Sequence, residues 1–218
     1  MATSLKNRDC GASMATGAVL TGDLIRSRES DDTQAYVDSL KLVLKALNQH
    51  YGIKAETFRG DGFQVVPKRP AQALHCALAL RAGLIASSAP GERRDARLAV
   101  GIGQAQGSSG FGEAFVLSGQ GLDTMKKSTL AVFSSNVHLL ERIGLATEFA
   151  AAIIDEWTVV EAQTFYVHLL QGVDQKTTAQ TLGKSRISVN KALQRAHARL
   201  LDRYLGSAQD WVEELADA

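Results

Sequence analysis

Few of the features that mark a specialised class of protein occur in this chain of 218 residues. It has two cysteines, Cys10 and Cys76, in neither a CxxC pair nor a Cys/His spacing suited to zinc. A disulfide scaffold is therefore excluded, and two free cytosolic thiols are expected. The five histidines, His50, His75, His138, His168 and His197, are scattered without metal-ligand spacing. Charge of one sign is also lacking: 24 Lys and Arg stand against 23 Asp and Glu, a formal net charge of +1. Such a balance creates no global field for nucleic acid or membrane, so any attraction must come from how the charges are distributed. Apolar runs are broken by charge before the ~20 residues that a membrane span needs. The N-terminal MATSLKNRDCGAS has no apolar core of the kind a secretory signal carries. A cytoplasmic protein with no membrane partner is expected. No GxxxxGK[ST] loop occurs, no GxGxxG follows a strand, and Ser27 and Ser118 have no evident His/Asp partners for a hydrolase triad.

What is present is ordinary globular material, with 45% hydrophobic residues. The length allows one large domain, or a medium domain with a small appendage. Residues 1–13 are small and polar and read as a disordered segment. Over residues 14–150, strand signals alternate with helical ones. ATGAVL before Thr21-Gly22-Asp23 reads as a buried strand, and Val37, Leu40, Leu44 and Leu47 recur at helical spacing between Thr33 and Tyr51. Ile53 to Arg59 and Phe63 to Val66 form a hairpin turned at Gly60-Asp61-Gly62. A helix from Pro70, a strand over Arg97 to Gly103, a Gly/Ser-rich loop over Gln104 to Gly112, a helix over Glu113 to Met125, a strand over Thr129 to Phe133 and a helix from Val137 follow. This order predicts an α+β domain with one antiparallel or mixed sheet and helices over one face, ferredoxin-like or palm-type.

Beyond residue 150 the pattern is helical throughout, with no Pro- or Ser-rich linker, and Ala150 to Glu161 is expected to form a continuous bridge. Residues 151–206 read as an all-α helix-turn-helix domain. In QKTTAQTLGKSRISVNKALQ (175–194) Ala179 is small enough for a helix crossing and Gly183, four residues on, suits the turn. Leu182, Ile187, Val189, Ala192 and Leu193 would close a small core between the helices. The helix from Thr158 to Gly172 would support this pair. From Gln175 to Arg203, seven basic residues (Lys176, Lys184, Arg186, Lys191, Arg195, Arg199, Arg203) stand against the single acid Asp202. Ser185, Arg186, Ser188, Asn190 and Lys191 are expected to face base edges of double-stranded DNA, and Lys176, Lys184, Arg195 and Arg199 its phosphates. The competing reading is a helical dimerisation unit whose basic face is merely solvated. Residues 207–218, with Asp210, Glu213, Glu214 and Asp217 around Trp211, Val212 and Leu215, read as an acidic tail helix that docks on protein. The segment from Gln175 to Arg199 resembles the DNA-binding end of sigma factors, their region 4, and of many small bacterial regulators.

Asp23 ends the first strand and Asp61 tips the hairpin, on strands expected to be neighbours. Two carboxylates without a cationic partner repel unless a divalent ion or a shared proton neutralises them, and Mg²⁺ favours such oxygens together with nucleotide phosphates. The alternative is that each Asp caps its own turn. TGDLIRS (21–27), RGDGFQVV (59–66), LAVGIGQA (98–105) and GFGEAFVLSGQGLD (110–123) occur in an order that resembles class III nucleotide cyclases and, more closely, SatD-like bacterial proteins. The resemblance implies a cyclase-like palm fold with Asp23 and Asp61 as metal ligands, and a Mg²⁺-nucleotide ligand. It also implies a departure, because Glu113 to Gln120 contains no arginine where cyclases carry one. Loss of that cation costs orders of magnitude in rate. The expected protein is a DNA-binding transcriptional regulator, a homodimer whose degenerate cyclase-like domain senses a ligand or dimerises. The alternatives are a Mg²⁺-dependent nucleotide cyclase or nucleotidyltransferase controlled by its C-terminal helices, and an interaction protein.

Overall fold

The computed structural model describes residues 16–27, 32–58, 61–104, 112–172 and 174–216. The expected disordered segment 1–13, Arg59 and Gly60 at the hairpin tip, and most of the Gly/Ser-rich loop lie outside them. In chain order the elements are β1 (Thr16–Leu24), α1 (Thr33–Tyr51), β2 (Lys54–Thr57), β3 (Gly62–Val66), α2 (Ala73–Ala86, entered through a turn at Pro70–Gln72), β4 (Ala96–Gln104), α3 (Glu113–Thr124), β5 (Leu130–Ser134), α4 (Val137–Asp155), α5 (Val159–Gln171), α6 (Gln175–Leu182), α7 (Arg186–Arg195) and α8 (Ala198–Ala216). The molecule is α+β, with a five-stranded mixed sheet in the order β2-β3-β1-β4-β5. β1 is antiparallel to both β3 and β4, β2 is antiparallel to β3, and β5 joins β4 in parallel.

The two faces of the sheet follow from the period-2 pattern of the strands. Ala18, Leu20, Leu24, Leu98, Val100 and Ile102 face α1 and α2 and belong to the main core. α1 supplies Tyr36, Leu40, Val43, Leu44 and Leu47 to it, and is capped by the Asp32 carboxylate on Ala35 N at 2.8 Å and by left-handed Gly52. α2 is buried on nearly every side. A helix that is apolar all round is an interior helix, and α2 is covered by the sheet on one side and by α1 and α5 on others.

Helices do not lie over one face alone. α3 covers the opposite face, where Thr21 Oγ1 meets Ser118 Oγ at 2.8 Å. Gly101 permits this approach, since a Cβ there would stand 2.2 Å from the Ala114 carbonyl oxygen. The glycines of the β4 strand therefore read as a docking surface for a helix, not only as a source of loop freedom.

The expected continuous bridge over Ala150 to Glu161 is instead a joint between two helices. α4 ends at Asp155, and Thr158 with Glu161 forms a capping box that starts α5. Such a pair satisfies free amides at a helix start, so it favours a new helix over continuation. Arg93 closes the other side, donating to the carbonyls of Trp157 at 2.6 Å and Ile154 at 2.9 Å. Below the joint, fully buried Arg81 donates to both oxygens of Asp95, at 2.9 and 2.6 Å, and to Asp155 at 2.8 Å. The end of α4 is thereby tied to α2 and to the start of β4.

The C-terminal helices share the core of the sheet. One apolar cluster runs from Ala18 and Leu20 through α2 to Trp157, Phe165, Val189, Leu193, Leu201 and Val212. α8 is unbroken across residues 206 and 207 and lies back on the sheet unit. It is held there by Thr147 to Tyr204 at 2.8 Å, Arg142 to Glu214 at 2.6 Å and Arg69 to Glu213 at 3.0 Å. Glu213 and Glu214 thus face arginines of this chain. No helix among the described residues is long and apolar enough to cross a membrane.

Candidate nucleic-acid interface

α6 and α7 are set by three local devices. Asp174 caps α6 by accepting from Lys176 N at 3.0 Å and Thr177 N at 3.1 Å, and the Thr177 hydroxyl, first among these donors, holds its carboxyl below the usual range. Gly183 ends α6 in the left-handed conformation, φ 59°, and Lys184 N then reaches back to the Ala179 carbonyl at 3.0 Å. Ser185 caps α7, its hydroxyl accepting from Ser188 N at 3.1 Å. The crossing of the two helices is filled by Thr178, Ala179, Val189, Ala192 and Leu193, all buried.

Ile187 departs from the sequence expectation. It does not close the small core but is 70% exposed. The buried face of α7 runs through Val189, Ala192, Leu193 and Ala196. Ile187, two positions before Val189, points the other way on a 3.6-residue helix. Leu182 packs only partly buried against the cluster.

The expected DNA-facing residues divide into two groups. Arg186, Ser188, Asn190 and Lys191 are exposed along α7, with Ser185 exposed at its cap. Ser185 and Ser188 also bond each other through their hydroxyls at 2.9 Å. Lys176 is exposed on the first turn of α6, and Lys184 reaches Gln163 of α5 at 3.1 Å. Arg199 is exposed on α8 and, with Asn190, Gln194, His197 and Arg203, lines a cleft of about 810 Å³ beside α7. Arg195 has an exposed side chain that is also bonded within the chain. Its Nε donates to Glu161 Oε1 at 2.6 Å, joining α7 to the capping box of α5. Burial pushes the Glu161 carboxyl up, but hydrogen bonds from Thr158 and Arg195 outweigh it and hold the group below its usual range.

The support for this unit comes from α5 and the joint before it. The Trp157 ring lies 4.9 Å from that of Phe165, tilted by 53°, and donates from its indole nitrogen to the Ala196 carbonyl at 3.2 Å. Thr181 on α6 donates to Gln171 on α5 at 2.7 Å, and His168 on α5 meets Asp202 on α8 at 3.0 Å. The exposed face of α7 is therefore carried on a rigid frame.

The second candidate site lies at the far end of β1. The register places Asp23 opposite Gly62 on one side and opposite Arg97 on the other. Asp23 and Asp61 do share one sheet edge, where Leu24 N donates to the Asp61 carbonyl at 3.1 Å. The pair has the cationic partner that the sequence reading left out. Arg97 Nε donates to Asp23 Oδ1 at 2.9 Å and Nη2 donates to Oδ2, while Ser27 donates to Asp61 Oδ2 at 2.9 Å. The hydrogen bond to Asp23 raises the Arg97 guanidinium further, and the Asp61 charge adds to it. Arg97 takes both Asp23 oxygens and Ser27 takes one of Asp61, and no group of three or more His, Cys, Asp or Glu able to hold a metal occurs among the described residues. The signal for Arg97 is its position, a charged residue opening an apolar central strand.

No protein-family model matches the sequence, and no curated protein matches it.

Proposed function

We propose that this chain binds double-stranded DNA as a transcriptional regulator, with α6 and α7 as a helix-turn-helix and α5 as its support. The observation that carries the reading is the division of α7. Asn190 and Lys191 are exposed on one side with Arg186 exposed at the helix start, Val189, Ala192 and Leu193 are buried on the other, and the left-handed Gly183 turn precedes them. Arg and Lys suit guanine edges and Asn suits adenine. Lys176, Lys184 and Arg199 supply phosphate contacts, and the regulator acts as a homodimer on paired half-sites.

The sheet unit is read as ferredoxin-like and palm-type, supported by β1 lying between β3 and β4 with the β2-β3 hairpin outermost. Its role is to sense a ligand or to dimerise. A Mg²⁺-nucleotide site, and with it the cyclase or nucleotidyltransferase alternative, would have to share Asp23 with Arg97.

Fluorescence anisotropy on a random duplex of about 20 bp tests the reading. Wild type is expected to bind with an affinity that falls steeply between roughly 50 and 200 mM salt. Lys176→Ala and Arg199→Ala are each expected to weaken binding and to lower the salt slope by about one. Binding that is indifferent to salt and to both substitutions overturns the reading.

A further inference from the structure

α7 exposes one large apolar side chain in the middle of a polar face. Asn190, Lys191 and Gln194 follow Ile187 at the spacings that share a helix face, and all four are exposed. The packing face opposite is complete without it, since Val189, Ala192, Leu193 and Ala196 are buried. Helix propensity does not account for the residue either, because a β-branched side chain is a poorer helix former than the Lys, Arg or Gln around it. Nor is this a docking patch of the usual kind, which presents contiguous apolar surface. Its neighbours along that face of α7 are an amide, a cation and a second amide.

An apolar group flanked by hydrogen-bonding groups matches one particular surface, the major-groove edge of a T·A pair. There the thymine 5-methyl group stands beside the hydrogen-bonding atoms of thymine and adenine. We propose that Ile187 packs on a thymine methyl group of the bound site while Asn190, less than one turn further on, pairs with a neighbouring adenine. The inference rests on α7 being the recognition helix. It names the base that this helix discriminates, and it explains why a residue patterned like core lies in solvent.

Burying one methyl group against an isoleucine is worth about threefold to tenfold in affinity. The test begins with duplexes selected by wild type from a random pool. The recovered duplex is remade with deoxyuridine replacing each thymidine in turn, which removes only the 5-methyl group. Wild type is expected to lose about threefold to tenfold at one or two positions and little elsewhere. Ile187→Ala is expected to bind the thymidine duplex more weakly by a similar factor and to show no thymidine preference at those positions. Because the side chain is 70% exposed, the variant keeps the wild-type Tm. Equal binding of thymidine and deoxyuridine duplexes by wild type overturns the inference and leaves DNA binding standing. So does a thymidine preference that survives unchanged in Ile187→Ala. Failure of wild type to select any duplex removes the DNA reading and this inference with it.

Discussion

Glu161 and Arg195 show how a single ion pair can set the geometry of a surface without belonging to it. Their bond joins α7 to the start of α5, so the residue that looks in sequence like one more cation on a basic helix is an anchor. The carboxyl of Glu161 is held below its ordinary 4.5 by Thr158 and Arg195. A carboxyl depressed in the folded state contributes stability above its unfolded value, and that contribution is lost as the pH falls through the folded value. Glu161→Gln is therefore expected to lower Tm at neutral pH, with the gap from wild type closing as the pH falls below the ordinary carboxyl value of 4.5. Thermal melts of both proteins across pH check it, and a gap that persists unchanged into acid contradicts the assignment. Composition alone shows seven basic residues in this region, but not which of them is already paired. The partner, Glu161, lies more than thirty positions away. The same holds for Asp23, whose partner Arg97 is reached only through strand register.

At the scale of elements, several helix starts are legible where a polar cap precedes an apolar period. α1 and α7 begin where Asp32 and Ser185 direct, and the strand and helix order through β5 and α4 follows the local patterns. The pieces that escape the sequence are those decided by contacts between elements. α3 lies on Gly101, a partner that the strand's own pattern does not name, and α8 absorbs the expected tail because Tyr204 and Val212 pack into the common core. Ile187 escapes for a different reason. It is apolar and near other apolar residues, but out of phase with them by about half a turn. The α6–α7 turn carries a cost that can be measured. Gly183 has φ 59° and nothing within 4 Å of where a Cβ would sit, so substitution there acts through backbone conformation alone. Gly183→Ala is expected to destabilise the protein by about 1–2 kcal/mol. Denaturant melts check this, and a stability equal to wild type would mean that the turn does not require the left-handed conformation.

At the scale of the whole molecule, the sheet unit and the C-terminal helices are built as neighbours on one core. α2 is buried beneath the sheet, α1 and α5, and the Arg81, Asp95 and Asp155 network fixes the joint from which α5 departs. Any ligand or second copy acting on the sheet unit would have to move α7 through this joint or through α8, since no long flexible connection separates the two parts. The central claim is that the exposed face of α7 is where the chain meets DNA. Amide chemical-shift mapping by NMR on addition of a selected duplex tests it most directly. The account predicts shifts concentrated on residues 184–194 and the first turn of α8, with the β2 edge of the sheet undisturbed. Shifts confined to the sheet unit, or none at all, would contradict it.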